Sequence, residues 1–536
     1  MRENKKAAST VVSAIISTDP VRQPFPVNSF GLSFPILSTS YVLSRPSRFL
    51  TQHQLLWLVA ALLLLLPIRL HGLAAAALPD YDSVRNWQIV QEIARGQLQH
   101  LFHHGSPAFA LVYAPVAWLT TDYRVFQHLN AVVAVAAVGL LARYIARNAQ
   151  LSGWQTGLLV LLMGTSVFLT FSGRDFTMSS WSLLCFAGLL GAYYQRLHFP
   201  AAGTLYRAGI WLMLGLCFNY KFLLTLPILA VLEWWRADGL LWRNGHWWRI
   251  AALLALPYLV LGAVGVAAGL PWYLWPAIYY KVAFPDAANA AGRAATLHPD
   301  FLYYLRYLRD FESGLVWIGL LGPVLLLRQL RRGTPPGLEL YLAVWGWCLL
   351  AGMSLLVKAP RGLLWAYGLW YALGLLQLRR LPVLALAGVL LAAISLNLFR
   401  IQQEVYAYSP TSYPAVAAWL RTHAAGPVAS SVGLGLAPFR TPNDTVRVLM
   451  QEQDLSALRR QGYHYVLLDA YWRVTNVQQF QQLQQQPAVA AWPEPLLTSP
   501  LLFLEHSEFT GLGYEETLRL QRAAQQDTVQ LRLLKL

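Results

Sequence analysis

The sequence predicts a polytopic α-helical membrane protein of about eleven spans followed by a small water-soluble α/β domain, and three observations predict it. Hydrophobic residues make up 56% of the 536 and charged residues only 12%, about half the charge of a soluble globular chain, so a water-facing fold cannot absorb the surplus. Several apolar runs approach the roughly 20 residues that a helix needs to cross the hydrocarbon layer. The basic residues behind the net charge of +16 fall in short loops between those runs. That is the pattern of the positive-inside rule, whereas a nucleic-acid surface clusters its basic residues on a soluble face, so no nucleic-acid partner is expected.

Residues 1–50 carry Arg2, Lys5, Lys6, Arg45 and Arg48 among scattered Pro and Ser, with no apolar core followed by a cleavage site. They predict a disordered cytoplasmic tail, an overlong gene start being the alternative. The membrane domain is expected over 51–397, with an outer loop at 71–106. Its first span covers 55–73, with Arg69 near the outer end. Further spans are expected near 126–146, 154–171, 177–195, 208–218, 222–235, 250–270, 314–327, 338–357, 363–377 and 381–397. With the N-terminus inside, every inner loop is basic: Arg143 and Arg147; Arg196 and Arg207; Arg236, Arg243 and Arg249; Arg328, Arg331 and Arg332; Arg379 and Arg380. This register makes the short apolar stretch 108–119 a re-entrant or interfacial helix. The 21 Trp and 26 Tyr suit interfacial belts. Cys185, Cys217 and Cys348 all lie in apolar segments and read as buried thiols, not as disulfide or metal positions.

After the first span, Val84, Trp87, Val90, Ala94, Leu98 and Leu101 recur at three and four, with Arg85, Gln88, Glu92, Arg95 and Gln99 elsewhere, which predicts an amphipathic helix on the outer surface. From 398 to 536 the composition turns Gln-rich and mixed in charge, as for a soluble extracytoplasmic domain with one core. Helical 413–423, strand-like 427–432 and 446–450, helical 455–461 and strand-like 463–469 suggest a small α/β layer. Gly433 and Gly435 make only a GxG, which reads as a turn.

Ionisable residues are nearly absent from span interiors, which argues against a coupled transporter. They collect at the outward ends instead: Asp80 and Asp82, Arg174 and Asp175, Lys221, Lys281, Lys358 and Arg361. In order and on a common side, these motifs resemble the GT-C membrane glycosyltransferases, in the branch of protein O-mannosyltransferases and lipid A aminoarabinose transferase, over most of 55–500. Asp82-Ser83-Val84-Arg85-Asn86-Trp87 followed by Ile93-Ala94-Arg95-Gly96 is similar to that family's first outer loop. His104-Gly105-Ser106-Pro107, Phe171-Ser172-Gly173-Arg174-Asp175, Phe218-Asn219-Tyr220-Lys221 and Lys358-Ala359-Pro360-Arg361 are similar to its later elements. The family places Glu directly after its catalytic aspartate, where this chain has Ser83. Asp82 is preferred as that aspartate because Gly96 falls where the family's helix-ending glycine would be, with Asp80 in reserve.

The resemblance implies a transferase that moves a sugar from a polyprenyl-phosphate donor to a hydroxyl of a protein, glycolipid or polysaccharide at the outer face of the membrane. The chemistry is consistent with the residues. A sugar on a lipid phosphate already has a good leaving group, so transfer needs a base for the acceptor hydroxyl and cations for the departing phosphate. One carboxylate suffices for single displacement with inversion, unlike the carboxylate pair of retaining hydrolases. Asp82 is the expected base, Lys358 and Arg361 the expected phosphate ligands with Lys221 adding charge, and Arg174 and Asp175 the expected substrate contacts. Each has a plainer alternative: solvated loop for Asp82, a local ion pair for Arg174 and Asp175, snorkelling for Lys221, Lys358 and Arg361, and interfacial polarity for His103 and His104. No motif marks a metal site, and a divalent cofactor stays open. The rival functions are a membrane transporter or lipid flippase, which predicts paired broken helices where only one is evident near Lys221, and a non-catalytic envelope-assembly protein.

The loop charges fix a testable topology. Cysteine labelling from the outside is expected to reach a probe near residue 450 and to miss one near residue 330. The reverse pattern would invert every span.

Overall fold

The structure is a computed structural model that describes residues 51–283, 297–329, 335–356, 358–423, 426–431, 434–440, 446–449, 452–469 and 480–536. The tail expected over 1–50, Gly433 and the side chain of Lys281 lie outside the described residues.

Each stretch expected to span is helical, from Gln52–Leu70 to Val383–Glu404. By length and composition, five helices among the described residues can cross a membrane, or six if the bent pair Gly153–Gly164 and Val167–Gly173 is one span. That is fewer than eleven, because helices such as Ala202–Phe218 are apolar but short. The protein is thus an integral membrane protein whose helices vary widely in length. Leu315–Leu321 packs against Leu364–Leu378 at unusually close range. A Cβ on Gly319 would lie 1.9 Å from the Trp370 carbonyl oxygen and one on Gly374 2.7 Å from that of Leu315, so only glycine permits this approach.

The stretch 154–171, expected as one span, bends by 68° at Thr165–Ser166. A break in low dielectric strands carbonyls on one side and N–H groups on the other, and survives only where protein groups satisfy both. Arg69, fully buried at the end of the first span, donates to the carbonyls of Gly164 (2.8 Å) and Leu169. Glu312, 1% exposed, accepts from the N–H groups of Val167 (3.3 Å) and Phe168 (3.1 Å), from Ser166 Oγ (2.9 Å) and from the Tyr371 hydroxyl (2.7 Å). One cation and one carboxylate thus close the two faces of the break, a pair of interior ions that hydropathy does not reveal.

The last apolar helix runs past the expected boundary at 397 to Glu404, and the C-terminal part follows. Its sheet holds β1 (Val428–Ser430), β2 (Val446–Val448), β3 (Tyr465–Asp469), β4 (Ala490–Trp492) and β5 (Leu531–Lys535), in the order β2-β1-β3-β5-β4. β1 pairs in parallel with β2 and β3, and β5 runs antiparallel to β3 and β4. The period of two is visible in the packing: Leu467 and Leu533 face the helix Tyr413–Thr422, while Val466, Leu468 and Leu534 face Leu455 and Leu458. Gly435 sits in a 3-10 turn where a Cβ would lie 2.7 Å from the Tyr413 ring, a packing use of the GxG. The C-terminal part is stitched to the membrane helices by Tyr303, whose hydroxyl donates to the Leu504 carbonyl (3.0 Å), and by Tyr514, whose hydroxyl donates to Asp310 (2.9 Å).

The broken helix yields a stability prediction. Glu312→Ala leaves the N–H groups of Val167 and Phe168 and the Ser166 hydroxyl without their acceptor, while Tyr371 keeps Asn397 (3.0 Å), and is expected to destabilise the protein by at least about 2 kcal/mol, since each unsatisfied buried donor costs about 1–3 kcal/mol. Denaturation in detergent measures it, with Glu312→Gln retaining part of the stability. Wild-type stability in the alanine variant would show that the break does not depend on this carboxylate.

Candidate active site

The helix Tyr81–Ala94 begins with Asp80 as its N-cap, the Asp80 carboxylate accepting from the Ser83 N–H (2.8 Å) and from the Ser83 hydroxyl. Capping uses an orphan donor of the first turn and ties Asp80 to its own helix. Asp82, two residues on, is clear of the cap, and its carboxylate lies 3.2 Å from His104 Nε2 and 3.8 Å from an Arg361 guanidinium nitrogen. The helix ends at Ala94, and Gly96 at φ +78° turns the chain back. His104 itself sits at φ 51°, a left-handed conformation that costs a side-chain-bearing residue about 1–2 kcal/mol. It aims the imidazole at Asp82.

These groups open on a cavity of about 330 Å³, which also receives Asp175, Lys221, Glu505 and Glu508. Lys221 arrives on a 3-10 turn, Tyr220–Leu224, capped by the Asn219 side chain, which accepts from the Lys221 N–H (2.9 Å). Asn219 in turn donates to Ser182 Oγ (3.2 Å), which also accepts from Trp365 Nε1 (3.2 Å). Arg361 is the most heavily paired group: its Nε lies 2.7 Å from Glu505, and another of its nitrogens lies 3.3 Å from Glu508. A larger cavity of about 570 Å³ elsewhere is walled by residues such as Leu212, Leu226 and Trp242 and holds none of these groups except an unrelated carboxylate, Glu233.

Of the residues that the sequence nominates, Asp80, Asp82, Asp175, Lys221 and Arg361 share the cavity. Arg174 and Lys358 do not. Arg174 is buried, donates to the carbonyls of Arg69 (3.0 Å) and His71 (2.6 Å) and to Ser409 Oγ (3.1 Å), and stacks over Tyr406. Lys358, 3% exposed, donates to the carbonyls of Ser354 (3.0 Å), Leu356 and His298. Both cations are consumed by helix-end carbonyls. His104, Glu505 and Glu508 are the groups that the sequence does not nominate; His104 was open to an interfacial reading, and the two glutamates lie 144 and 147 residues beyond Arg361 with no local motif.

The charges are strongly coupled. Burial pushes the Asp82 carboxyl up, but His104 and Arg361 outweigh it and hold Asp82 below the usual carboxylate range. Burial lowers His104, and Asp82 more than compensates, so His104 titrates above an ordinary histidine. Its neighbour His103, buried and beside that charge, is pushed down to about 3. Asp175 is raised well above the usual range by burial and by Asp80. The Ser83 hydroxyl lies between Asp80 and Asp175 and has one hydrogen to give, so a neutral Asp175 removes the repulsion across it. Ser83 thus occupies, fully buried, the position where the resembling family has Glu. Burial, with Arg361 adding to it, lowers Lys221 to about 8. Burial raises Glu505 to about 7 against the pull of Arg361. Among the described residues no three His, Cys, Asp or Glu side chains are arranged to hold a metal ion.

No family model and no curated protein matches the chain. Among solved structures, the crystal structure of ArnT from Cupriavidus metallidurans bound to undecaprenyl phosphate superposes with a TM-score of 0.56 at 12% identity, covering 81% of this chain and 96% of that one. The fold is therefore the GT-C fold that the motif order implies.

The Asp82–His104 pair sets a pH dependence. His104 is raised when folded, so its contribution is full below its ordinary value of 6.5 and is lost as pH rises through the folded value; Asp82 is lowered, so its share is lost as pH falls below 3.8 through its own folded value. The stability difference between wild type and His104→Gln should therefore be largest between those limits and shrink toward higher pH. Denaturation in detergent across neutral pH measures it, and a difference that does not vary with pH would show that the pair is not ionised as described.

Proposed function

We propose that the chain is an inverting glycosyltransferase that moves a sugar from a polyprenyl-phosphate donor to an acceptor hydroxyl at the outer face of the membrane. The observation that carries this reading is the convergence, in one cavity, of an ionised carboxylate with two cations, Asp82 with Arg361 and Lys221. The fold supports it, as does the undecaprenyl phosphate bound to the structural neighbour. The acceptor class is a hydroxyl of protein, glycolipid or polysaccharide.

In this reaction the acceptor oxygen attacks the anomeric carbon opposite the phosphate. The new carbon–oxygen bond forms as the sugar–phosphate bond breaks, the bonding pair leaves with the phosphate, and the hydroxyl proton passes to Asp82. Arg361 and Lys221 meet the negative charge that develops on the leaving phosphate, where a preorganised cation needs no rearrangement. The Asp82 carboxylate in the unliganded cavity is a weak base because His104 and Arg361 stabilise its charge. A phosphate set beside Arg361 and Lys221 offsets that stabilisation and raises the basicity of Asp82 once the donor is bound.

A flippase reading would use broken helices to line its path. The break at Thr165–Ser166 is instead closed by Arg69 and Glu312, which favours the enzyme.

Asp82→Asn keeps the size of the side chain and removes its charge. It is expected to insert and bind donor yet lose transfer by about 100-fold to 10,000-fold, the usual contribution of positioned proton transfer. Asp80→Asn is the matched control: asparagine caps a helix as well as aspartate, so this variant should keep both stability and rate near wild type. Transfer lost in Asp80→Asn and kept in Asp82→Asn would move the base to Asp80; transfer kept in both would sink the enzymatic role of this loop.

A further inference from the structure

The segment Pro500–Glu505 and the short turn after it belong to the C-terminal part, yet they reach the cavity between the membrane helices. Glu505, 7% exposed, grips one residue twice: one carboxylate oxygen accepts from the Arg361 backbone N–H (2.7 Å) and the other lies 2.7 Å from Arg361 Nε. The neighbouring guanidinium nitrogen donates to the Glu505 carbonyl (3.4 Å) and to Glu508 (3.3 Å). The Nε edge of the fork is thus committed to the C-terminal segment. The remaining nitrogen, 3.8 Å from Asp82, faces the cavity.

The segment has its own anchors, so Glu505 does not merely follow the arginine. Ser507 Oγ donates to the Lys358 carbonyl (2.8 Å), and the Tyr303 hydroxyl meets both the Leu504 carbonyl (3.0 Å) and Ser507 Oγ (2.8 Å). A buried carboxylate fixed in this way selects one guanidinium rotamer, and an arginine held in advance loses less freedom when an anion arrives.

We propose that Glu505 is a positioning residue of the donor site: by holding the backbone and the Nε edge of Arg361, it turns the opposite edge toward the donor phosphate and makes the C-terminal segment part of the site. This rests on the reading of Arg361 as a phosphate ligand.

Binding of undecaprenyl phosphate to the full chain in nanodiscs tests it. Glu505→Gln is expected to weaken binding about tenfold, the effect of losing the ion pair at the Nε edge of Arg361. Arg361→Ala should weaken it by at least as much, and the double variant should bind no worse than Arg361→Ala alone. Glu505→Asp, which keeps the charge and cannot span both contacts, serves if the glutamine variant does not fold, and should also bind more weakly. Wild-type binding in a folded Glu505 variant, or additive losses in the double variant, would overturn the proposal while leaving Arg361 as a ligand. Wild-type binding in Arg361→Ala would instead remove the phosphate reading itself, and the proposal with it.

Discussion

A single guanidinium joins the parts of this protein. Arg361 stands at the start of a buried helix, within 4 Å of Asp82 in the segment after the first apolar helix, and is clasped by Glu505 and Glu508 from the C-terminal part. Burial opposes its charge, and the three carboxylates more than restore it. Such a cluster is stable only when complete, because removing one partner leaves the others charged and poorly solvated. The loop that carries Asp82, the membrane helices and the C-terminal segment are therefore tied together at the place where the chemistry is proposed to occur.

The same rule, that a polar group in low dielectric must find a partner, also governs the other interior ions. Arg69, Arg174 and Lys358 all donate to backbone carbonyls at helix ends or breaks, and Glu312 accepts from N–H groups on the other side of one break. These residues allow helices to be interrupted inside the membrane without unsatisfied backbone. The interruptions in turn bring Asp175 and Lys221 to the cavity, since each follows a break or turn: Asp175 just beyond the short helix Val167–Gly173, and Lys221 within the turn that Asn219 caps.

Much of this fold was legible in the sequence. Apolar length located most helical stretches of the membrane part, because hydrocarbon thickness imposes a length on them, but it missed the short helices Leu274–Ala283 and Tyr303–Phe311. Alternation located β1, β2 and β3. It did not locate β4, whose three residues are too few to show a period, or β5, whose partner strand β3 lies far back in the chain. The bend at Thr165–Ser166 was hidden because the residues around it are apolar and the groups that close it, Arg69 and Glu312, come from distant helices. Within the site, Asp82, Lys221 and Arg361 stood out as ionisable residues at the ends of apolar runs. Arg174 and Lys358 stood out equally, since composition does not say whether a basic side chain faces a cavity or a carbonyl. Glu505 was invisible because Pro500-Leu501-Leu502-Phe503-Leu504 reads as the core of a soluble helix, and its meaning lies in an arginine 144 residues away.

The electrostatic order of the cavity also bears on when the proposed base becomes competent. Asp82 is paired on both oxygens, with His104 on one and Arg361 on the other. A carboxylate so stabilised is ionised but reluctant to take a proton. Lys221 is lowered to about 8, because burial and Arg361 outweigh the pull of Glu508, Glu505 and Asp82. An arriving phosphate would act on both at once: it would favour the charged form of Lys221, compete with Asp82 for Arg361, and leave Asp82 with His104 as its main partner. Base strength would then appear only with donor in place, which limits stray deprotonation of water or acceptor in the empty cavity. The arrangement explains why a weak resting base and a strong cationic clamp belong together here: the charge that the clamp receives is the charge that activates the base.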